Sequence, residues 1–582
     1  MPVSKSKWLW SGICLLCAFA NISTAQNLEQ LGWKKGVKVS GSVSANTILY
    51  SASEMKGRRD PFNWSVNGNL NISLFGYDAP FSFSYSNQQR SFSQPFNTLS
   101  FTPQYKWVKA YLGYTAMSFS NYTLAGHMFL GAGVELTPGK WRLAAMYGRL
   151  KKEVPFNVSD SQQQAEPAFR RMGYGVKAGY GDERGSIDIS VFAAKDDKNS
   201  LLYIPKDALL YPQENVAVSI AGKKTFLRHF FVDVEYAVSM LNKDIRADTG
   251  KPATGGANLF KGLLKGSPGT RYYDAVNAGI GYNGAFYSLQ LRYERIAPDY
   301  QTLGAYYFNN DMRNITIAPT LRLMHGRLSL AGNIGMQTNN LDSSKAHTNK
   351  RFVGSANATF VPSDSWNFNL NYSNFTSHTR ARPLNDPFFQ NPYDTLNFYQ
   401  VNNNVTGMVN YLFGSRERRH SIMMNVSYQR ASDNSAGNDK IQLSDYYTGN
   451  LGYNYMLTPL DLTLGTSFNY YDTRISGVKS IYWGPGITAG KLWWHKTINT
   501  SFVTTYNQTK SSGEQTVSSK VSSTRLSIGY MPKPRPKDKD SRKITGRHNL
   551  GMSVSYLKQF GTLQLPAGFS ELTTTMNYTL SF

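Results

Sequence analysis

The chain of 582 residues is too long for one ordinary globular core, and its 62 Lys and Arg against 37 Asp and Glu give a formal charge of +25. Only 17% is charged, 14% is aromatic and mean hydropathy is −0.40; no run of about 18 apolar residues occurs, which excludes a helical membrane protein. Two cysteines, Cys14 and Cys17, leave no disulfide framework and no cysteine-based zinc site.

Lys5 and Lys7 precede an apolar stretch from Trp8 to Ala20, and Ser23-Thr24-Ala25 puts small residues where a signal peptidase reads. Residues 1–25 therefore read as an export signal. Ile13 and Leu16 stand before the two cysteines, where a lipobox needs a small residue, so acylation is rejected. Cleavage before Gln26 leaves 582 − 25 = 557 residues, free of cysteine, with a charge of (62 − 2) − 37 = +23. Residues 26–35 form a short periplasmic segment carrying Trp33-Lys34-Lys35, which either leads into the first strand or plugs the periplasmic mouth.

From 36 to 582 the pattern is strand after strand, predicting one barrel. Phe62, Trp64, Val66, Leu70, Ile72 and Leu74 alternate with Asn63, Ser65, Asn67, Asn69, Asn71 and Ser73. Trp366, Phe368, Leu370 and Tyr372 do the same against asparagines, and Leu460, Leu462, Leu464, Phe468 and Tyr470 against polar neighbours. The chain ends with Leu572, Thr574, Met576, Tyr578, Leu580 and Phe582 on one face. Such dyads suit a sheet with one apolar and one wet side.

Loop length sorts these strands into a membrane. Short turns at 137–139, 282–284, 324–326, 362–364, 414–416 and 457–459 alternate with longer polar segments. These are 151–170, 195–214, 241–270, 298–312, 379–397, 432–446 and 508–519. Short periplasmic turns and longer extracellular loops mark an all-β, transmembrane antiparallel β-barrel, whose backbone groups all pair internally without any continuous apolar run. About 26 strands can be marked, at 557/26 or roughly 21 residues each, a reasonable length for spanning strands and their connections.

The export signal, the cysteine-free mature chain, the dyads and the terminal Phe582 with Tyr578 and Leu580 on its face resemble a Gram-negative outer-membrane β-barrel. The Tyr/Asn/Gly-rich strands and the start Val43-Ser44-Ala45-Asn46-Thr47 look like barrels of Bacteroidota. The resemblance implies outer-membrane lipids and lipopolysaccharide as surroundings, and insertion by the barrel-assembly machinery, which reads such a terminal aromatic. Strands begin near Val37, so a plug domain of the TonB-dependent type is not expected.

A barrel this wide needs an occupant. Loops 195–214, 241–270 or 379–397 folding inward are one candidate, with 241–270 favoured for its Leu259-Phe260 and Leu263-Leu264. A lipoprotein or periplasmic plug partner is the other. Strand-borne charges Lys38, Arg142, Arg292, Glu294 and Arg327 are expected in the lumen, where Lys and Arg favour anions; basic residues pairing with lipid phosphates at the rims are an alternative that can hold together with it. On the periplasmic side, 533–543 breaks the short-turn rule. Lys533, Arg535, Lys537, Lys539, Arg542 and Lys543 lie among prolines, a stiff basic prong for docking or a solvated turn on anionic headgroups. Outside, Phe388, Phe389 and Tyr393 form a contact loop or a self-packed cap.

No zincin, nucleophile-elbow or calcium spacing occurs, and the nearest catalytic pairings, His420-Ser421 and His229 near Asp233, read as rim or lumen residues. No enzyme activity, cofactor, metal or nucleic-acid partner is expected. Two functions stay open. One is a gated or loop-restricted transport pore with a positively biased lumen. The other is a scaffold barrel in a multiprotein machine for protein export, barrel insertion or surface-lipoprotein delivery.

Overall fold

The computed structural model describes residues 37–54, 60–74, 77–87, 97–156, 167–205, 208–246, 269–306, 309–344, 348, 350–374, 401–433, 442–475, 477–513, 517–532, 546–561 and 568–582. Segments 1–25 and 26–35, the basic stretch 533–543 and the group Phe388, Phe389 and Tyr393 lie outside them.

The sheet begins with β1 (Val37–Ser53), β2 (Phe62–Leu74) and β3 (Tyr77–Ser86). β4 (Thr98–Phe101) and β5 (Gln104–Tyr105) both pair with β3 and are two halves of one stave, interrupted where Pro103 has no N–H to give the ladder. Next come β6 (Val108–Ser118), β7 (Ala125–Leu136), β8 (Trp141–Lys151), β9 (Arg171–Asp182), β10 (Gly185–Asp196) and β11 (Glu214–Phe226). They are followed by β12 (Phe230–Asn242), β13 (Arg271–Asn283), β14 (Tyr287–Ile296), β15 (Met312–Leu323), β16 (Leu328–Thr338) and β17 (Lys350–Ser363). β18 (Trp366–Asn374), β19 (Val401–Gly414), β20 (Arg418–Asp433), β21 (Gln442–Leu457) and β22 (Leu462–Ile475) continue the meander. β23 (Val478–Trp493), β24 (Ile498–Ser512), β25 (Val517–Tyr530), β26 (Arg547–Gln559) and β27 (Phe569–Ser581) complete it.

Neighbours are antiparallel throughout, and β27 returns to β1 from Ser42 opposite Ser581 to Ser53 opposite Ser570. Phe582 seals the seam by exchanging backbone hydrogen bonds of 2.8 and 3.0 Å with Gly41. The 27 segments, with β4 and β5 sharing a stave, make a closed barrel of 26 strands. At a strand spacing of about 4.8 Å and a tilt of about 40°, 26 staves give a circumference of roughly 160 Å. Closure leaves no open edge, which is what lipid demands of a sheet.

The dyads resolve into two faces. On β14, Tyr287, Leu289 and Leu291 are exposed on the outside, while Ser288, Gln290, Arg292 and Glu294 take the opposite side. The same parity puts Ile187 and Ile189 of β10, Val234 of β12, Leu370 of β18, Phe502 of β24 and Leu526 of β25 outward. At the short-turn end this apolar wall carries aromatic pairs across strands. Trp141 meets Tyr180 at 5.0 Å, Tyr282 stacks on Tyr287 at 5.0 Å and Trp366 on Tyr411 at 4.2 Å, an interfacial girdle.

Candidate functional site

The lumen is the only interior that a membrane barrel offers, and in this chain its inner face is divided into two unlike walls.

The first wall, β6 to β14, is padded by two connections folded inward. Residues 119–124, between β6 and β7, bring Phe119, Tyr122 and Leu124 onto the inner face. Residues 297–306, between β14 and β15, bring Tyr300 and Leu303. Phe119, Leu124 and Leu303 pack with Met117, Phe129, Leu150 and Phe192, whereas Tyr122 and Tyr300 pack with Ala237, Ala275 and Ile296. Space for them comes from glycines on the inward positions. A Cβ on Gly175 would stand 2.8 Å from the Phe119 ring, one on Gly148 2.6 Å from Phe129, and one on Gly173 2.7 Å from Leu150. Gly304 is as confined, with the Thr123 carbonyl at 2.6 Å and Phe192 at 2.9 Å from its would-be Cβ.

Hydrogen bonds latch the two connections to each other and to the wall. The Tyr300 hydroxyl donates to the Tyr122 carbonyl (2.7 Å) and Thr302 Oγ1 to the Thr123 carbonyl (2.7 Å). The Ala125 amide donates to the Gly304 carbonyl (2.9 Å). Asn215 of β11 accepts from the Leu303 amide at 3.1 Å, and Ser239 of β12 donates to the Gln301 carbonyl at 2.6 Å. Tyr306 stacks on His127 with ring centroids 4.1 Å apart and accepts from the Met128 amide at 3.0 Å. Asn215 and Ser239 are 1% and 0% exposed, so these polar groups sit where an unmade bond would be costly.

Toward the short-turn end runs a charged girdle. Arg142 pairs with Asp188 at 3.0 Å and Arg292 with Asp233 at 3.1 Å. Lys177 donates to the Phe119 carbonyl at 3.0 Å. The Tyr122 hydroxyl donates to Glu294 at 2.7 Å and accepts from Asn277 at 3.1 Å, so the padding loop is tied into the girdle through one side chain. Asn314 donates to the other Glu294 oxygen at 3.1 Å and accepts from Gln337 at 2.9 Å.

The second wall, β18 to β24, is different in kind. Its inward positions include Asn367, Asn369, Asn371 on β18, Asn404, Thr406, Asn410 on β19, Asn425, Ser427 on β20 and Thr448, Asn450, Asn454 on β21, with Met408 and Met423 among them. Asn469, Tyr471 on β22, Tyr482, Thr488 on β23 and Thr505, Asn507 on β24 carry the row onward. Away from the strand ends these amides and hydroxyls bear no charge among the described residues. Ser427 and Thr448 share a hydrogen bond of 2.6 Å, and Asn369 donates to Thr359 of β17 at 2.9 Å.

The five charges singled out from the sequence as strand-borne all lie among the described residues. Arg142, Arg292 and Glu294 lie together on the inner face of the first wall, all three partnered. Lys38 is inward on β1 opposite Ser73, near the short-turn end, and pairs with no acid among the described residues. Arg327 is not on a strand; it closes the turn after Met324–Gly326, between β15 and β16. Among the described residues the inward segments are 119–124 and 297–306. In 195–214, Ser200 accepts from the Arg170 amide and the Pro212 carbonyl from the Ile245 amide, both at 3.0 Å. Most of 241–270 and all of 379–397 lie outside the described residues. The missed signal is an apolar motif in connections that should be polar: Tyr122-Thr123-Leu124-Ala125-Gly126 and Tyr300-Gln301-Thr302-Leu303-Gly304.

His420 and Ser421 point to opposite faces, His420 to the outer Tyr453 hydroxyl (2.8 Å) and Ser421 to the inner Asn410 (3.2 Å). His229 bonds the Asn283 carbonyl while Asp233 is held by Arg292. Neither is a catalytic pair. No group of three metal-ligating side chains occurs among the described residues.

No protein-family model matches the chain, and no curated protein matches it. Among solved structures it is similar to the P pilus usher (PapC) translocation pore, with a TM-score of 0.35, 10% identity, and 93% of this chain and 98% of that chain covered. It is also similar to OccAB2 of Acinetobacter baumannii, with a TM-score of 0.30, 9% identity and coverage of 94% and 98%. A loop-deletion mutant of OmpT, an outer membrane protein of Vibrio cholerae, gives a TM-score of 0.28, 9% identity and coverage of 53% and 92%.

Proposed function

We propose that this protein is an outer-membrane translocation pore, delivered by the signal 1–25, whose lumen is narrowed by the paired connections 119–124 and 297–306. Its short turns then face the periplasm and its long connections the outside. It acts as a conduit with no catalytic step. The observation that carries the reading is the union of a lipid-fit outer wall with a polar inner one, half padded and half lined by uncharged amides and hydroxyls. Arg142 and Arg292 are neutralised by Asp188 and Asp233. Inward Lys38 and Lys223 pair with no acid among the described residues, while Glu294 is held by the neutral Tyr122 and Asn314, so the preference for small anions is slight.

Planar-bilayer recording tests this directly. The wild-type protein should conduct, with a reversal potential tilted toward anions in a salt gradient. Tyr122→Ala with Tyr300→Ala, which removes both rings of the inner cluster and the tie to Glu294, should raise the conductance and its fluctuation. A silent wild-type protein, or a variant with unchanged conductance, would overturn the loop-restricted pore.

A further inference from the structure

Part of the excess positive charge lies on the outer wall, where no lumen can use it. At the long-loop end, Arg430 of β20, Asp445 of β21, Arg474 of β22 and Lys479 of β23 stand directly opposite one another in the ladder. They share the parity of exposed Val426, Leu451, Phe468 and Trp483, so all four face outward. Asp445 holds Arg430 at 2.8 Å, and Asp472, 6% exposed, holds Arg474 at 3.1 Å and Lys479 at 3.5 Å. The guanidinium groups lie over Tyr428 and Tyr447, at 5.9 and 5.3 Å. The row continues with Lys510, Lys520 and Lys558 on β24, β25 and β26, in the parity of exposed Phe502, Leu526 and Tyr556. From β23 to β27 the outward face carries no acid among the described residues, so these three lysines have no ion pair there.

We propose that this strip, Arg430 to Lys558, docks the phosphate groups of lipopolysaccharide in the outer leaflet; the inference rests on the outer-membrane placement above. Arg474 and Lys479 stand directly opposite at about the 4.8 Å strand spacing, and Lys510, Lys520 and Lys558 each follow two residues along the next stave, a diagonal of about 7–8 Å that long side chains bridge toward one phosphate. Asp472 fills the Nε/Nη2 fork of Arg474 and Asp445 takes Nε of Arg430, so each guanidinium offers phosphate only its remaining N–H groups, and the unpaired lysines supply the free positive charge beside them. Lipid is favoured over a soluble anion because the apolar wall begins immediately below. Acyl chains would lie along Phe502, Leu526 and Met552 while the headgroup met the row above.

The test uses the full-length protein purified in mild detergent, titrated with lipopolysaccharide, with phosphatidylglycerol and with phosphatidylcholine, and retained lipid read by native mass spectrometry. Wild type should retain lipopolysaccharide over both phospholipids. Lys510→Gln/Lys520→Gln/Lys558→Gln should weaken that retention on the order of ten-fold, while inward Lys223→Gln leaves it unchanged. Heat-modifiable migration on gels confirms that each variant is folded, and single-channel conductance of the triple variant should equal that of wild type. A failed pore reading would thus leave lipid retention intact. Equal retention by wild type and triple variant, equal loss in Lys223→Gln, or phosphatidylglycerol held as tightly as lipopolysaccharide would each overturn the proposal.

Discussion

Single residues bear the strain of this barrel at its turns. Leu227 and Arg228 join β11 to β12 with φ of 48° and 63°, the left-handed region in which a Cβ crowds the following carbonyl. Arg228→Gly should therefore stabilise the hairpin by about 1 kcal/mol, read as a raised urea midpoint. The opposite outcome is expected at Gly304, where the surrounding atoms leave no room for a side chain. Gly304→Val should lift 297–306 off the wall, seen as faster amide exchange at Leu303 and Gly304, with the distant staves unaffected. Outside the sheet, Asp197 is held below the ordinary carboxylate value of 3.8 by the Asn199 amide and the Arg170 guanidinium. A depressed carboxylate stabilises above its unfolded value and loses that contribution as pH falls through the folded one. Protection of the Asn199 amide should accordingly persist through pH 3.8 and vanish only in more acid solution, as hydrogen exchange would show.

At the scale of the strand, parity is the organising fact, and it can be tested by paired substitutions one residue apart. Leu526 faces out and Ser527 faces in on β25. Leu526→Arg should cost about 2–4 kcal/mol at mid-membrane depth and Ser527→Arg close to none, compared through denaturant midpoints in one lipid. Equal costs would mean that the faces are assigned wrongly. The strands were readable in the sequence because alternation over ten residues is a property of neighbours alone: Leu572 to Phe582 announce their face without knowing what they pair with. The padding was not readable in the same way. Phe119 and Leu303 sit in connections far apart in the chain, and they meet only because inward glycines on β8 and β9 leave a hollow that no local pattern reveals. The fate of the charges was legible as sign but not as side. Arg142 sits three residues past the turn glycine Gly139 on a clear dyad and proves to be inward beside Asp188, whereas Arg327 is displaced from the ladder by the turn that Met324–Gly326 makes.

The molecule as a whole is a ring with two walls of separate chemistry, β6 to β14 and β18 to β24, and in the pore proposed above a cargo meeting the uncharged wall would have no ion pair to displace. The basic stretch 533–543 lies outside the described residues, but the strands it joins, β25 and β26, end and begin on the side of the short turns. Its deletion should leave heat-modifiable migration intact, while loss of co-purifying proteins after the deletion would favour the scaffold role over a free-standing pore.

The seam between β27 and β1 sets a schedule as well as a shape. Each hairpin joins residues that leave the ribosome together, but Ser53 and Ser570 are 517 positions apart. Bringing such distant ends together costs about 3 kcal/mol more in chain entropy than closing a twenty-residue hairpin. The ring therefore cannot shut until nearly the entire polypeptide is in place, and until then it presents two naked sheet edges, templates for pairing with other chains. A chain stalled before Phe569 is left with nothing to shut the circle.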